Sequence, residues 1–200
     1  RQYSNNKKKI FFIGFFYNYS DLEVIEKVSF ASEDNLKKTL EKIDGNFSII
    51  VQGKNYLLVA VDRISSYPLL YTIKKNKLFI SDNGIILKNE LNLCRDNVDY
   101  SVSSTFAMSG YTSHNDTIYK SLKTLYPGEY LHFKKNKAKF ELFFQWRPWL
   151  NSNSFKKEYL SKLNEKIIKK LIKSCKGKQL IVPLSAGWDS RLIASGVKHL

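Results

Sequence analysis

The fold of this chain is decided by the stretch Ile43-Asp44-Gly45-Asn46-Phe47-Ser48-Ile49-Ile50-Val51-Gln52-Gly53-Lys54-Asn55-Tyr56-Leu57-Leu58-Val59-Ala60-Val61. It contains two apolar runs, 47–51 and 56–61, on either side of the polar turn 52–55. Short apolar runs that flank a glycine-containing turn are typical of a β-hairpin, so this stretch predicts two antiparallel strands. Just beyond them, Asp62-Arg63 is predicted to close the second strand, with the carboxylate bonded to turn amides and paired with the guanidinium.

Further elements are predicted on both sides of this hairpin from the same signals, apolar periodicity bounded by polar turns. They are a buried strand at 10–17, hairpins at 69–81 and 129–144, and helices at 32–43, 84–90 and 100–108. The chain up to about residue 150 is therefore mainly antiparallel β with short helices.

The pattern changes after residue 150. The polar run Asn151–Ser154 predicts a linker, and 155–175 predicts an amphipathic helix. Its expected apolar face is formed by Phe155, Tyr159, Leu160, Leu163, Ile167, Leu171, Ile172 and Cys175. Residues 180–184 then predict a buried parallel strand, followed by a short loop and a new helix. An α/β unit is therefore expected from residue 155 onward.

Composition excludes several classes of protein. No run of about 18 apolar residues is present, so the sequence predicts no transmembrane helix. Two cysteines cannot form a disulfide framework or a four-ligand metal site, which favours a cytoplasmic location. The formal net charge is +15, but only five of the 33 basic residues are arginine. Because groove and phosphate recognition leans on arginine, this charge disfavours a nucleic-acid partner.

The loop Leu184-Ser185-Ala186-Gly187-Trp188-Asp189-Ser190 carries the clearest chemical signal. A strand, a loop of small residues and a helix start together form an anion site, because backbone N–H groups converge there. Ser185 and Ser190 add hydroxyl donors, and Asp189 suggests a bridging Mg²⁺. The loop spells neither a Walker motif nor a nucleophile elbow. An ordinary strand-to-helix turn with a capping Asp is the alternative.

Residues 185–190 resemble the Ser-Gly-Gly-x-Asp-Ser pyrophosphate loop of the ATP pyrophosphatase superfamily, with Ala186 where Gly is usual. This resemblance implies that ATP is cleaved between its α- and β-phosphates and that an adenylated intermediate forms. It assigns the pyrophosphate and Mg²⁺ site to this loop, with Asp189 as the metal ligand and Leu184 against the adenine.

The N-terminal part resembles a second family. The segments that carry this resemblance to class II glutamine amidotransferases are 43–48, 61–63, 66–71 and 79–82. Three further segments, 106–111, 117–119 and 125–130, resemble the link to the synthetase domain in asparagine synthetases. The whole chain thus resembles the glutamine-hydrolysing asparagine synthetase family. This implies an α+β domain at 1–150, an Ntn-type antiparallel β sandwich flanked by helices, and at 155–200 the start of a parallel-sheet α/β synthetase domain.

The chain departs from that family where glutamine is hydrolysed. The family uses an N-terminal Cys as nucleophile, and none is present, so no catalytic residue is assigned and the natural N-terminus is expected to be missing. Cys94 and Cys175 are expected to be small buried hydrophobes. Residues 13–18 resemble an Asn-Gly-Glu-Ile-Tyr-Asn glutamine-pocket motif, with Ile13 and Phe15 in place of Asn and Glu. We therefore predict a degenerate glutaminase.

The resemblance implies an ATP-dependent ligase. It would adenylate a carboxylate with MgATP and transfer ammonia or an amine to it, releasing AMP and pyrophosphate. Glutamine or ammonia is the expected nitrogen donor and a homodimer is compatible with the family, while the 200 residues alone are expected to be inactive. The alternatives are a non-catalytic binding or scaffold domain and a tRNA-modifying enzyme with the same ATP loop.

Overall fold

The computed structural model describes residues 1–5, 8–147, 149, 157–175 and 177–200. The chain divides into two compact units, Arg1–Trp146 and Arg147–Leu200. The predicted linker Asn151–Ser154 and the predicted helix residue Phe155 lie outside the described residues.

The N-terminal unit is built from short strands and helices. Its strands are β1 (Gln2–Asn5), β2 (Lys8–Phe16), β3 (Gly45–Gln52), β4 (Tyr56–Val61), β5 (Leu70–Lys74), β6 (Lys77–Ser81), β7 (Lys123–Thr124), β8 (Glu129–Lys134) and β9 (Lys137–Leu142). Its α-helices are α1 (Asp21–Phe30), α2 (Glu33–Lys42), α3 (Gly84–Glu90) and α4 (Tyr100–Ser109).

The strands form two antiparallel sheets. The larger has six strands in the order β1-β2-β3-β4-β8-β9, and the smaller has three in the order β6-β5-β7. Helices α1 and α2 pack on one face of the six-stranded sheet around Phe47 and Leu40. Its other face packs on the three-stranded sheet around Val59 and Leu131, and α3 covers the far side through Leu87. The predicted β sandwich flanked by helices is confirmed.

The predicted hairpins are confirmed, and their turns show why. Lys75, Asn76, Lys135 and Asn136 all have φ between 48° and 61°, the left-handed backbone that a two-residue hairpin turn requires. Helix α1 was not predicted. Its signal is the capping box formed by Ser20 and Glu23.

The described part of the C-terminal unit has two α-helices, α5 (Lys157–Cys175) and α6 (Trp188–His199). The predicted face of α5 is largely exposed, with Ile167 54% accessible. Ile168 is buried instead, and it packs against Gly196 of α6. Glycine permits this close approach because it has no side chain. Among the described residues, no helix is long and apolar enough to cross a bilayer.

The predicted parallel strand at 180–184 is wrong. The structure has no strand there, and Ile181 and Leu184 are 76% and 69% exposed. A parallel strand needs hydrogen bonds from a neighbouring strand, and the described part of 147–200 contains none. The expected parallel-sheet domain is therefore not formed by these residues.

Candidate functional site

The turn after β4 is held by the carboxylate of Asp62, which is 1% exposed. Its Oδ2 accepts the N–H groups of Phe47 and Ser66 at 2.9 Å, and its Oδ1 accepts that of Ile64 at 2.9 Å. The prediction that Asp62 bonds turn amides is confirmed. One side chain thus fixes the start of β3 and the turn that leads toward the second sheet.

The predicted pairing of Arg63 with Asp62 is wrong. Arg63 donates from Nη2 to the carbonyl oxygen of Glu41 at 2.9 Å, and its guanidinium lies 5.2 Å from the ring centroid of Phe144. Because the three amides already surround the Asp62 carboxylate, the neighbouring guanidinium turns to the carbonyl and the aromatic ring instead.

A second hydrogen-bonded group lies beside this turn. Tyr17 donates its hydroxyl to Oδ1 of Asn46 at 2.6 Å, and Asn46 donates from Nδ2 to the hydroxyl of Ser66. Burial, with the nearby carboxylates of Asp44 and Asp62, raises the pKa of Tyr17 above its ordinary value. The phenol therefore stays protonated at neutral pH and remains a donor.

An open cleft of about 520 Å³ lies between the two sheets, beside the free edge of β6. Most of its lining is apolar and comes from both sheets. Its apolar lining residues are Phe11, Phe12, Ile13, Ile50, Leu69 and Ile80, and Arg1, Gln2 and Ser48 add polar groups. Ser81 and the exposed Asp82 add polar groups on the side of the three-stranded sheet.

Residues 4–144 match the family model of the glutamine amidotransferase domain, which is well over half of the chain. The chain belongs to the glutamine amidotransferase domain family. Such a domain takes the amide nitrogen of glutamine. No curated protein matches the chain at a significant level. The finer resemblance to asparagine synthetases stays a prediction.

Two solved structures are similar to the amidotransferase domain. One is the glutamine phosphoribosylpyrophosphate amidotransferase from B. subtilis complexed with ADP and GMP, with 16% identity, a TM-score of 0.45, and coverage of 72% of this chain and 31% of that chain. The other is described as the allosteric regulatory enzyme of purine biosynthesis, with 16% identity, a TM-score of 0.46, and coverage of 71% and 30%. The chain spans under a third of the length of these proteins.

The two apolar replacements in the predicted glutamine-pocket motif lie on β2. Ile13 lines the cleft, and both Ile13 and Phe15 are 42% exposed. The ring of Phe15 lies edge-on to that of Tyr17, with centroids 5.3 Å apart. An isoleucine offers no hydrogen bond to an oxyanion. Both side chains at these positions of the amidotransferase domain are therefore apolar, and that of Ile13 lines the cleft.

The structure places neither cysteine along the cleft. Cys94 is exposed, and its thiol donates to Oδ1 of Asn97 at 3.4 Å. The expectation that it is buried is wrong, because it caps a short 3₁₀ helix at the surface. Cys175 is half-buried and donates to the carbonyl oxygen of Leu171 at 3.3 Å.

Ser48 lines the cleft, although it is not among the site residues predicted from the sequence. Its neighbours Phe47 and Ile49 face the helices, so strand alternation turns Ser48 toward the cleft. The residue is only 3% exposed. In the sequence, Ser48 stands out as the one polar residue within the apolar run 47–51.

In the C-terminal unit, the loop 184–190 is organised by two serines. The hydroxyls of Ser185 and Ser190 lie 3.0 Å apart, and Ser190 accepts the N–H of Ser185 at 3.1 Å. The hydroxyl of Ser185 accepts the N–H of Gly187 at 3.2 Å. These contacts fold the loop against the first turn of α6.

The other loop residues are open to solvent. Leu184, Ala186, Trp188 and Asp189 are exposed, and Trp188 is 83% accessible. Asp189 has no ion pair or hydrogen bond to the described residues. The described residues contain no group of three or more His, Cys, Asp or Glu side chains arranged to hold a metal ion.

Glu129, the first residue of β8, carries a buried carboxyl group. It is 7% exposed, and its Oε2 accepts the N–H of Tyr126 at 2.9 Å. Burial raises the pKa of Glu129 above its ordinary value, although the hydrogen bond from Tyr126 acts in the opposite direction. The folded state therefore binds this proton more tightly than the unfolded state does.

Replacing Glu129 with glutamine is expected to make stability less dependent on pH. Because the pKa of Glu129 is raised on folding, stability falls as pH rises from the unfolded value toward the folded one. The neutral amide removes that loss and can still accept the N–H of Tyr126. Thermal unfolding should show a higher unfolding temperature for Glu129→Gln than for the wild type at pH 7, but not at pH 4.

The matched control for this prediction is Glu141→Gln. Hydrogen bonds from Lys139 and Tyr130 lower the pKa of Glu141, so its contribution is present at pH 7 and lost on acidification. This variant should therefore lose stability at pH 7, the opposite sign. A gain at pH 4 from Glu129→Gln, equal to that at pH 7, would contradict the assignment.

Proposed function

We propose that this chain contributes to an ATP-dependent ligase that forms an amide from a carboxylate, as asparagine synthetases do. Residues 155–200 begin the ATP pyrophosphatase domain, and the amidotransferase domain precedes it. The carboxylate attacks the α-phosphate of ATP, which gives the acyl adenylate and releases pyrophosphate. Attack of ammonia or an amine on the adenylate then gives the amide and releases AMP. The observation that carries the proposal is the serine hydroxyl pair at the start of α6.

Three features of this loop support phosphate binding. The hydroxyls of Ser185 and Ser190 are close enough to donate to neighbouring phosphate oxygens. Gly187, the N-cap residue of α6, brings no capping side chain, so side-chain capping does not use up the first N–H groups of the helix. The loop is also exposed, so a nucleotide can reach these groups without a rearrangement of the unit.

The Mg²⁺ ion that accompanies ATP fits one residue of this loop. Mg²⁺ is commonly held by one or two carboxylates together with the substrate phosphates. Asp189 lies in the first turn of α6, exposed and without a described partner. It would hold the ion, whose charge would stabilise the departing pyrophosphate.

Replacing Ser190 with alanine is expected to weaken binding of MgATP by about tenfold or more. Ser190 donates to a charged phosphate in the proposed complex, and such a hydrogen bond contributes about 1.5–3 kcal/mol. Titration calorimetry on the full-length protein is the measurement. Asp189→Ala should in addition abolish the dependence of ATP affinity on Mg²⁺.

Ser195→Ala is the matched control, because Ser195 is an exposed serine on the same helix, outside the loop. Its affinity for MgATP should stay within twofold of the wild type. Equal affinities for Ser190→Ala, Ser195→Ala and the wild type would contradict the proposed phosphate site.

The nitrogen donor in this proposal is ammonia or an amine taken up directly. Ile13 and Phe15 support this, because they replace the polar residues of the glutamine-pocket motif by apolar ones. The amidotransferase domain then acts as a structural partner of the ATP domain. A purely non-catalytic scaffold is the competing function, and it predicts no ATP-dependent chemistry at all.

A further inference from the structure

Three pairs of strands, β1–β2, β3–β4 and β8–β9, have their connected ends at the same end of the six-stranded sheet. The register places these ends side by side, because Lys9 lies opposite Gln52 and Tyr56 lies opposite Lys134. Neighbouring strands are about 4.8 Å apart, so the two outer connections lie about 19 Å apart along the sheet. They form a single line with the middle connection between them.

These connected ends are rich in lysine. The set that we call the lysine row consists of Lys8, Lys9, Lys54, Lys134, Lys135 and Lys137. All of them except the half-buried Lys8 are exposed. Lys9, Lys54, Lys135 and Lys137 form no ion pair with a described residue. The described part of the chain therefore does not neutralise the charge of these four side chains.

The surrounding charges leave this end of the sheet positive. The opposite ends of the same strands carry carboxyl groups, since Asp44 precedes β3, Asp62 follows β4 and Glu129 begins β8. Helix α2 begins beside the lysine row with Glu33 and Asp34, and the six lysines outnumber these two residues. Because like charges in one row repel each other, the row lowers the stability of the folded state unless an anion lies against it.

The shape of the lysine row favours a linear anion over a membrane. The row is one strand layer thick, whereas a bilayer presents a plane. Among the described residues of the three connections, none has an exposed large apolar side chain that could enter a bilayer. An exposed aromatic residue lies beside the row, because Phe30 is 73% accessible and follows Ser29, whose carbonyl oxygen accepts Nζ of Lys8. Cationic tracks with aromatic side chains are typical of proteins that bind single-stranded nucleic acid.

We infer that the lysine row binds a single strand of nucleic acid through its phosphates, with a base stacked on Phe30. The row contains lysine and no arginine, so its contacts hold the backbone without recognising the bases. The low arginine content of the chain, which disfavours base recognition, is compatible with binding of this kind. This activity goes beyond the proposed ligase reaction and does not depend on it.

Fluorescence anisotropy of a labelled oligo(U) strand of about 16 nucleotides, titrated with the full-length protein, is the test. If four lysines each neutralise one phosphate, the logarithm of the affinity should fall with the logarithm of the salt concentration with a slope of about −3. A variant that replaces four lysines of the row should bind at least tenfold more weakly in about 50 mM salt and lose most of this slope. It combines Lys9→Gln, Lys54→Gln, Lys135→Gln and Lys137→Gln. Phe30→Ala should weaken binding at least fivefold.

Matched controls separate the row from the net charge of the chain. The first control removes the same charge from exposed lysines outside the row, and it combines Lys42→Gln, Lys88→Gln, Lys120→Gln and Lys162→Gln. Leu22→Ala is the control for Phe30→Ala, because Leu22 is an apolar residue of the same helix that is 67% exposed. Both controls should bind oligo(U) within about threefold of the wild type.

Three results would overturn the inference. They are no binding of oligo(U) at low salt, equal losses in the two fourfold lysine variants, and tighter binding of poly-L-glutamate or of phosphatidylserine vesicles than of oligo(U). None of these measurements contains ATP, so this test and the MgATP titration can fail independently of each other.

Discussion

Replacing Asp62 with alanine is expected to lower the free energy of unfolding of the N-terminal unit by about 3–5 kcal/mol. The variant leaves the N–H groups of Phe47, Ile64 and Ser66 without their carboxylate acceptor. Each unsatisfied buried donor costs about 1–3 kcal/mol, and water entering the turn recovers part of that cost. Urea denaturation followed by far-UV circular dichroism is the measurement.

Two further variants test the cause. The free energy of unfolding should fall less in Asp62→Asn than in Asp62→Ala. The amide keeps one oxygen as an acceptor but turns an NH₂ group toward another donor. Asp99→Ala removes the carboxylate that caps exposed α4 through Ser101 and Val102, and a lost cap costs about 1 kcal/mol. Equal losses for Asp62→Ala and Asp99→Ala would show that burial of the Asp62 network contributes nothing.

Replacing Gly14 with alanine is expected to lower the free energy of unfolding by at least about 4 kcal/mol or to prevent folding. Gly14 has φ of 114°, and a Cβ there would lie 2.0 Å from the carbonyl oxygen of Asn46 and 2.8 Å from Cα of Phe47. These are backbone atoms of the paired strand β3, so they cannot rotate away. Strands β2 and β3 would have to move apart at this position, where the sheet packs on the hydrophobic core.

Gly110→Ala separates the two causes of this effect. Gly110 also has a positive φ, 80°, but a Cβ there would meet nothing within 4 Å. This control should lose only about 1 kcal/mol, from backbone strain. Thermal unfolding of both variants tests the difference, and a loss for Gly14→Ala as small as that of Gly110→Ala would contradict the close-approach argument.

Most of the β sandwich could be predicted from the sequence, because the patterns that specify its hairpins are local. A short apolar run, a Lys-Asn turn and a second run are enough to specify hairpins such as β5–β6 and β8–β9. Strand β7 could not be predicted in this way, because its two residues pair with residues of β5 that lie more than 50 positions earlier in the sequence. Helix α1 also has a local signal in the sequence, the Ser20–Glu23 capping box.

The candidate sites were predictable to different extents. The residues 185–190 are contiguous, so the sequence brings Ser185 and Ser190 together without any tertiary contact. The strand predicted at 180–184 failed, because an apolar run becomes a strand only where another strand supplies hydrogen bonds. The cleft needs β2, β3 and β6 at once, so its lining could not be assigned from local patterns, although Ile13 was identified as an anomaly.

We propose that this protein is an ATP-dependent amide-forming ligase whose amidotransferase domain does not hydrolyse glutamine. The most direct test is AMP formation by the full-length protein with MgATP and a panel of carboxylates, with either ammonium or glutamine as nitrogen donor. We predict carboxylate-dependent formation of AMP with ammonium or an amine, and no release of glutamate from glutamine. AMP formation driven equally by glutamine, or no AMP with any donor and carboxylate, would contradict it.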